Sequence, residues 1–252
     1  MGMGDWLLAS AQVKRASIET GKKVCVGNGK QSFIDPDILV NNPRLARNGE
    51  DCVWVDNYPG HRPYFNQVTT ERILFNDDFH PEAGEIFLRE SELKQADERL
   101  NGITDFILVE PNVKTRFIHT ANKSWPHFEE LLKHDLPWLQ VGGVGVDQKT
   151  RFIHTETFRE ACAILSRASL FVGTDGGLHH AAAALGIPSV VIWTGFTSPK
   201  HLGYDEHINI HDGGEPCGTI NKVCPHCTEI AKNISVERVL DAINTIRCRT
   251  QR

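Results

Sequence analysis

The sequence predicts an α/β protein in which parallel strands alternate with helices. Three observations point there. Short apolar runs recur at Asp105–Val109, Trp138–Val141, Leu170–Val172 and Ser189–Trp193. Segments of helical periodicity separate them. Glycine or proline punctuates the element ends, at Pro111 and Gly142–Gly143 after strands and at Gly186 after a helix. Strands alternating with helices build a parallel sheet covered on both faces. Ligands in such sheets sit beyond the carboxyl ends of the strands. The chemistry is therefore expected after Val109, Val141, Val172 and Trp193.

The elements follow in order. Gly4–Ile18 reads as a helix, and Lys23–Val26 and Cys52–Val55 as strands. Tyr58–Gly84, rich in Pro, His and Asp, reads as loop with short helices. After the strand at Asp105–Val109, Ser124 is a candidate N-cap, with Pro126 in the first turn of a helix carrying Phe128, Leu131 and Leu132. Thr157–Arg167 is helical, with Phe158, Cys162 and Leu165 inward. Leu178–Leu185 is an Ala-rich helix stopped by Gly186 and Pro188. Ile234–Ile246 closes the fold, with Val236, Val239, Leu240 and Ile243 on one face. A boundary near Asn101–Gly102 divides the chain into residues 1–102 and 103–252.

Composition narrows the class. The 252 residues are 40% hydrophobic and 23% charged, enough for a real core. The formal net charge of −5 disfavours a nonspecific nucleic-acid coat. No run approaches the ~20 apolar residues of a membrane span. The N-terminus, MGMGDWLLASAQVKR, has neither the basic lead nor the long apolar stretch of a signal peptide. Seven cysteines, four of them scattered at Cys25, Cys52, Cys162 and Cys248, read as reduced thiols of a cytoplasmic protein rather than a disulfide framework. One heptapeptide, Lys114–Thr120, recurs word for word as Lys149–Thr155. Both copies follow a strand, so either both border one cleft, with His119 and His154, or the duplication is local and carries no chemistry.

The segment Leu170–Trp193 carries the strongest signal. It reads strand, tight turn, helix, turn, strand, with Asp175-Gly176-Gly177 in the first turn. Glycines let backbone approach a ligand closely. The free N–H groups and dipole of the following helix suit a phosphate, and His180 in its first turn adds a donor. A helix N-cap at Asp175 with close-packed glycines is the plainer alternative.

This segment resembles the C-terminal domain of the family 9 glycosyltransferases, which include the heptosyltransferases of lipopolysaccharide. Their Asp-Thr-Gly-x-x-His motif corresponds to Asp175-Gly-Gly-Leu-His-His180. Their Gly-Pro-Thr-x-Pro loop corresponds to Gly195-Phe-Thr-Ser-Pro199. Gly176 replaces the usual Thr, and Phe196 the usual Pro. Asn122-Lys-Ser-Trp-Pro126 matches the family's Lys before Trp-Pro, and Gly2-Met-Gly-Asp-Trp-Leu-Leu8 its Gly-Asp-x-Leu motif. The motif match is good from Lys123 to Ile246 and moderate over the first twenty residues. The family's usual first strand has no counterpart here, and the chain is shorter than the usual member.

The resemblance implies a GT-B-like fold, two Rossmann-like domains facing across a cleft, with the N-terminal one reduced. It implies inverting transfer from a nucleotide-diphosphate sugar to an acceptor hydroxyl, with no metal in catalysis. Asp5 becomes the general base and Lys123 the cation on the donor phosphates. Thr120, Asp147, Asp175, Gly176, Gly177, Leu178 and His180 become donor-binding, with Asp147 toward the ribose. Read alone, Asp5 caps a helix equally well and Lys123 is an ordinary surface residue. The family default is a lipopolysaccharide-type glycan acceptor. A hydroxymethylated base in DNA is the alternative, raised by the small acceptor domain; Lys14, Arg15, Lys22, Lys23 and Lys30 suit a lipid phosphate or a DNA backbone equally well. A relative that binds nucleotide sugar without turnover is a third reading. An NAD enzyme lacks its Gly-x-Gly-x-x-Gly turn here.

Cys217, Cys224 and Cys227, with His226 or His211, have the ligand types of a structural zinc site. Buried thiols or a disulfide between neighbours fit the same spacing.

Overall fold

The computed structural model describes residues 2–34, 37–47, 50–113 and 118–250. The chain runs α1 (Met3–Thr20), β1 (Lys23–Gly27), β2 (Cys52–Asp56), β3 (Phe65–Val68), β4 (Ile73–Phe75), α2 (Glu90–Leu100) and β5 (Ile107–Glu110). A 3-10 helix (Ile118–Lys123) leads to α3 (Phe128–Leu131), β6 (Trp138–Gly142), β7 (Phe152–His154), α4 (Phe158–Leu165) and β8 (Leu170–Thr174). Then come α5 (Gly177–Leu185), β9 (Ser189–Ile192), α6 (Pro199–Leu202), β10 (Ile208–Ile210), α7 (Pro225–Asn233) and α8 (Val236–Thr250).

Six strands form one sheet in the order β10-β9-β8-β5-β6-β7, every described pair parallel. From β5 the chain moves outward to β6 and β7, then returns to β8 on the other side of β5. The strand order therefore switches between β5 and β8, the place where a parallel sheet opens a crevice at its carboxyl end. Glu110 and Gly173 pair at that end, one residue short of Thr174 and Asp175.

Strand alternation sorts the core into two faces. Phe106, Leu108, Leu139 and Phe171 join α4, α5 and the N-terminal elements in one cluster. Ile107, Val109, Leu170 and Val172 face the other way, against α3 and α8. The N-terminal part has a two-stranded parallel sheet, β1-β2, and a β3-β4 hairpin. Its α1 packs along α5 and its α2 along α4. The predicted boundary falls on Asn101 and Gly102, both at positive φ (45° and 82°), yet residues on either side of it share one core.

Several expectations need correction. The helix placed after Ser124 starts later and is one turn long, with His127 at its N-cap. Trp125 is buried instead, its indole N–H donating to Ile234 O at 2.9 Å, which fixes the chain before the turn. Tyr58–Gly84 holds a hairpin, where short helices were expected. Cys25 and Cys52 are joined by a disulfide between the adjacent strands β1 and β2, where reduced thiols were expected. Parallel pairing sets Lys23 opposite Cys52 and Cys25 opposite Trp54, which brings the two thiols together.

Over the described residues, the ends of the two heptapeptide copies differ. Phe152–His154 is an edge strand paired with β6, whereas Ile118–Thr120 opens the 3-10 helix. Residues 114–117 and the His119 side chain lie outside what the structure describes. The second copy is held extended by pairing with β6. Among the described residues, no helix is long and apolar enough to cross a membrane.

Candidate functional site

The site is built at the carboxyl end of β8. The strand is fully buried, so its end delivers Asp175 into the interior with 6% exposure. Gly176, and not Asp175, is the N-cap of α5. That leaves the Asp175 carboxylate free to make other bonds. Lys123 Nζ lies 2.6 Å from its Oδ2, and Thr197 Oγ1 donates to the same oxygen at 2.7 Å. Burial alone would raise the pKa of Asp175, but the Lys123 charge, with hydrogen bonds from Lys123 and Thr197, holds it below the usual carboxylate value.

The Lys123 side chain is 22% exposed, and its ammonium also sits 5.3 Å over the Phe196 ring. It is thus fixed from two sides, with N–H groups left for a ligand. Phe196, where the family usually has Pro, supplies that aromatic face.

His180 lies in the first turn of α5. Its Nδ1 is 2.8 Å from the Tyr204 hydroxyl, and its Nε2 is 3.8 Å from Asp175 Oδ1. Tyr204 donating to Nδ1 leaves the Nε2–H directed toward the carboxylate. Burial outweighs the attraction of Asp175, so the ring titrates at about 4 and is neutral near pH 7. His179 beside it is fully buried, and neither of its ring nitrogens has a partner among the described residues.

The helix α1 arrives from the N-terminal part with its own N-terminus at this place. A Cβ on Gly4 would fall 2.6 Å from His180 Cδ2, and one on Gly177 would fall 3.4 Å from Met3 Cβ. At Gly4 there is no room for a side chain, whereas the Gly177–Met3 approach is ordinary van der Waals contact. Asp5 follows. It accepts from its N-cap residue, Gly2 N–H, at 2.7 Å, so the capping role is real. The same carboxylate also accepts from Tyr64 at 2.5 Å and meets Arg62 Nε at 3.1 Å. Burial, then the Asp5 charge, pushes the Tyr64 phenol well above its ordinary value, so it stays a donor.

Arg62, Tyr64 and Tyr204 escaped the sequence reading, as did Glu110. A Gly176 Cβ would lie 3.1 Å from Glu110 Oε2, a reason for glycine where the family has Thr. A Pro-His-Asp-rich stretch gives no periodicity to place Arg62 and Tyr64. Of the residues read from sequence, Asp5, Lys123, Asp175, Gly176, Gly177 and His180 come together, with Leu178 buried beneath. Thr120 is in the 3-10 helix just before Lys123. Asp147 stands apart, in the loop after β6. Its carboxylate is mostly exposed and pairs with Lys149 at 2.8 Å, while its backbone oxygen accepts from Asn112 and Gln140.

Residues 150–227 match the model of glycosyltransferase family 9 (heptosyltransferase). The chain resembles that family. Family 9 likeness by sequence thus covers β8, α5 and the loop at Thr197, the part of the site around Asp175. Two solved structures show the same fold. The family 9 glycosyl transferase from Veillonella parvula superposes with a TM-score of 0.67 at 15% identity, over 98% of this chain and 94% of its own. The ADP-heptose lps heptosyltransferase II of E. coli superposes with a TM-score of 0.50 at 18% identity, over 67% of this chain. The match spans only 55% of the length of that enzyme. None of the curated proteins matches the sequence. The α/β fold with a parallel sheet expected from the family 9 motifs is present, in a chain shorter than that E. coli enzyme.

Proposed function

We propose that this protein is an inverting glycosyltransferase, taking a sugar from a nucleoside-diphosphate donor to an acceptor hydroxyl without metal at the reaction centre. The observation that carries the reading is the meeting of Asp5 on α1 with the Lys123–Asp175 pair and His180 at the start of α5.

Each residue has a role in one displacement. The acceptor hydroxyl oxygen attacks the anomeric carbon from the face opposite the diphosphate. Its proton passes to Asp5, held in place by Arg62 and Tyr64. The bond from anomeric carbon to phosphate oxygen breaks, and its electron pair leaves on the nucleoside diphosphate. Lys123 and the amides of Gly176, Gly177 and Leu178 stabilise that charge. Asp175 orients Lys123. The neutral His180 donates from Nε2. Thr120, just before Lys123, is assigned to the nucleoside end, whereas Asp147, paired with Lys149, is left out of it. Holding donor and acceptor in one cleft supplies much of the rate.

The proposed donor is ADP-heptose, which the E. coli structural relative is named for. The proposed acceptor is a glycan hydroxyl. Modified DNA is the weaker reading, since two of the five positive residues near α1 already have acidic partners: Arg15 pairs with Glu82, and Lys22 with Asp51.

Thermal shift and calorimetry with ADP, UDP, GDP, CDP and ADP-heptose test the donor. Ligand at 100 times its dissociation constant stabilises by about 2.7 kcal/mol. The expected result is a shift with ADP compounds, lost in Lys123→Met and kept in Asp5→Asn. Absence of a shift with every nucleotide overturns the donor site.

A further inference from the structure

Behind the donor loop lies a second cluster that the proposed reaction does not use. Cys217, Cys224, His226 and Cys227 each offer one ligand atom, all within 4.8 Å of one another. Cys224 and Cys227 sit in the N-cap and first turn of α7, and Cys217 reaches in from the preceding loop. The Cys217 and Cys227 sulfurs are 3.0 Å apart. Cys227 and Cys224 are buried, while His226 is exposed and closes the open side. The Thr219 N–H donates to Cys217 Sγ at 3.5 Å, the kind of outer bond that orients a metal-binding thiolate. His211, the alternative fourth ligand by sequence, is not in the group.

The cluster is wired to the donor loop by backbone. Cys217 N–H donates to Gly195 O at 2.9 Å, and Gly218 N–H to Phe196 O at 3.1 Å. Thr197, the next residue, holds Asp175. Asn122, beside Lys123, ties the other strand of the loop. It donates to Thr219 O and Lys222 O, accepts from Cys224 N–H, and through its own carbonyl accepts from Thr194. On the far side, Ile73 N–H donates to Gly218 O and Ile220 N–H to Glu71 O, so the β3-β4 hairpin is attached as well.

We propose that Cys217, Cys224, His226 and Cys227 bind one zinc ion that braces the Thr194–Pro199 loop against α7 and the β3-β4 hairpin. Three thiolates and one imidazole in tetrahedral reach are a structural zinc set, with no open position for chemistry. The ion would fix the backbone that presents Thr197 and Phe196 to the Asp175–Lys123 pair. The bracing of that loop holds whatever the loop binds; its meaning for donor affinity rests on the function proposed above.

Elemental analysis of the purified full chain tests the site. The expected content is about one zinc per chain, falling below about a tenth of that in Cys227→Ser. In cobalt-exchanged protein, His226→Ala should keep the thiolate-to-metal absorption and shift the ligand-field bands; this exposed position tolerates the change if Cys227→Ser fails to fold. Hydrogen exchange supplies a readout independent of any nucleotide. Stripping the metal should speed exchange at the Cys217 and Gly218 amides at least tenfold, and zinc should restore it. Zinc well below stoichiometric, a Cys217–Cys227 disulfide found by mass, or unchanged exchange after stripping would each overturn the proposal.

Discussion

The Tyr64 phenol donates to the Asp5 carboxylate across 59 residues of sequence, at 2.5 Å. Arg62 meets the other oxygen from the same loop. The carboxylate therefore has a fixed rotamer before any acceptor arrives. A hydrogen bond to an ionised group contributes about 1.5–3 kcal/mol. Tyr64→Phe should cost that much in unfolding free energy, measured by denaturant titration. It should also lower turnover at saturating substrate more than it changes donor affinity. A variant as stable as the parent would show that the bond contributes nothing to the fold.

Lys123 and Asp175 make a buried pair whose halves depend on each other. Removing Lys123 leaves a carboxylate of 5% side-chain exposure without its counter-charge. Breaking a buried pair from one side costs about 3–5 kcal/mol. Lys123→Met should be destabilised by that amount, and Lys123→Met with Asp175→Asn should recover more than half of it. Both should bind nucleoside diphosphate at least tenfold more weakly. Additive effects in the double variant would show the pair is not coupled.

Legibility of the sequence followed burial and local chemistry. β5, β6, β8 and β9 were readable because a strand buried on both faces is an unbroken apolar run. Gly176 and Gly177 marked the turn because a tight strand-to-helix junction leaves little room for a side chain: a Cβ there would meet Glu110 at 3.1 Å and Phe158 at 3.2 Å. β7 and β10 were missed because three residues at a sheet edge carry no period. Asp5 and Lys123 were found through motifs, since neither has a local signature of its own. Tyr64, Arg62 and Tyr204 enter the site only through tertiary contacts, which no spacing in the chain encodes. The Cys25–Cys52 disulfide was missed for the same reason: 27 residues separate two cysteines that adjacent strands bring together.

The histidines behind α5 predict acid sensitivity. Burial lowers His180 and His207 each to about 4, and His179 well below 6.5. A group whose folded value lies below its unfolded value keeps the fold stable above the unfolded value, near 6.5. Stability then falls as pH drops from about 6.5 to about 4, because only the unfolded chain takes up the proton. At pH 5 each such ring costs about 2 kcal/mol relative to pH 8. Melting temperature should fall steeply between pH 7 and pH 5, and His207→Gln should flatten the fall. The same slope in His207→Gln would remove His207 from the account.

Arg159 decides whether the N-terminal part can leave α4. Its guanidinium makes two bonds to Glu92, at 2.6 and 2.7 Å, and donates to the backbone oxygens of Asp37 and Phe87. The arginine comes from α4 and all four acceptors from the N-terminal part, with side-chain exposures of 8% for Arg159 and 19% for Glu92. The arginine holds Glu92 below the usual carboxylate value, although Glu92 is partly desolvated, so the pair stays ionised. A planar donor serving four acceptors cannot be replaced by lysine without stranding some of them. Arg159→Lys should cost about 2 kcal/mol, and Arg159→Leu about 3–5 kcal/mol. In both, amide exchange should rise first in α2 and in the turn at Ile38–Leu39, ahead of β5 and β8. Exchange that rises uniformly across the chain would mean that the two parts unfold as one unit and that Arg159 is no hinge between them.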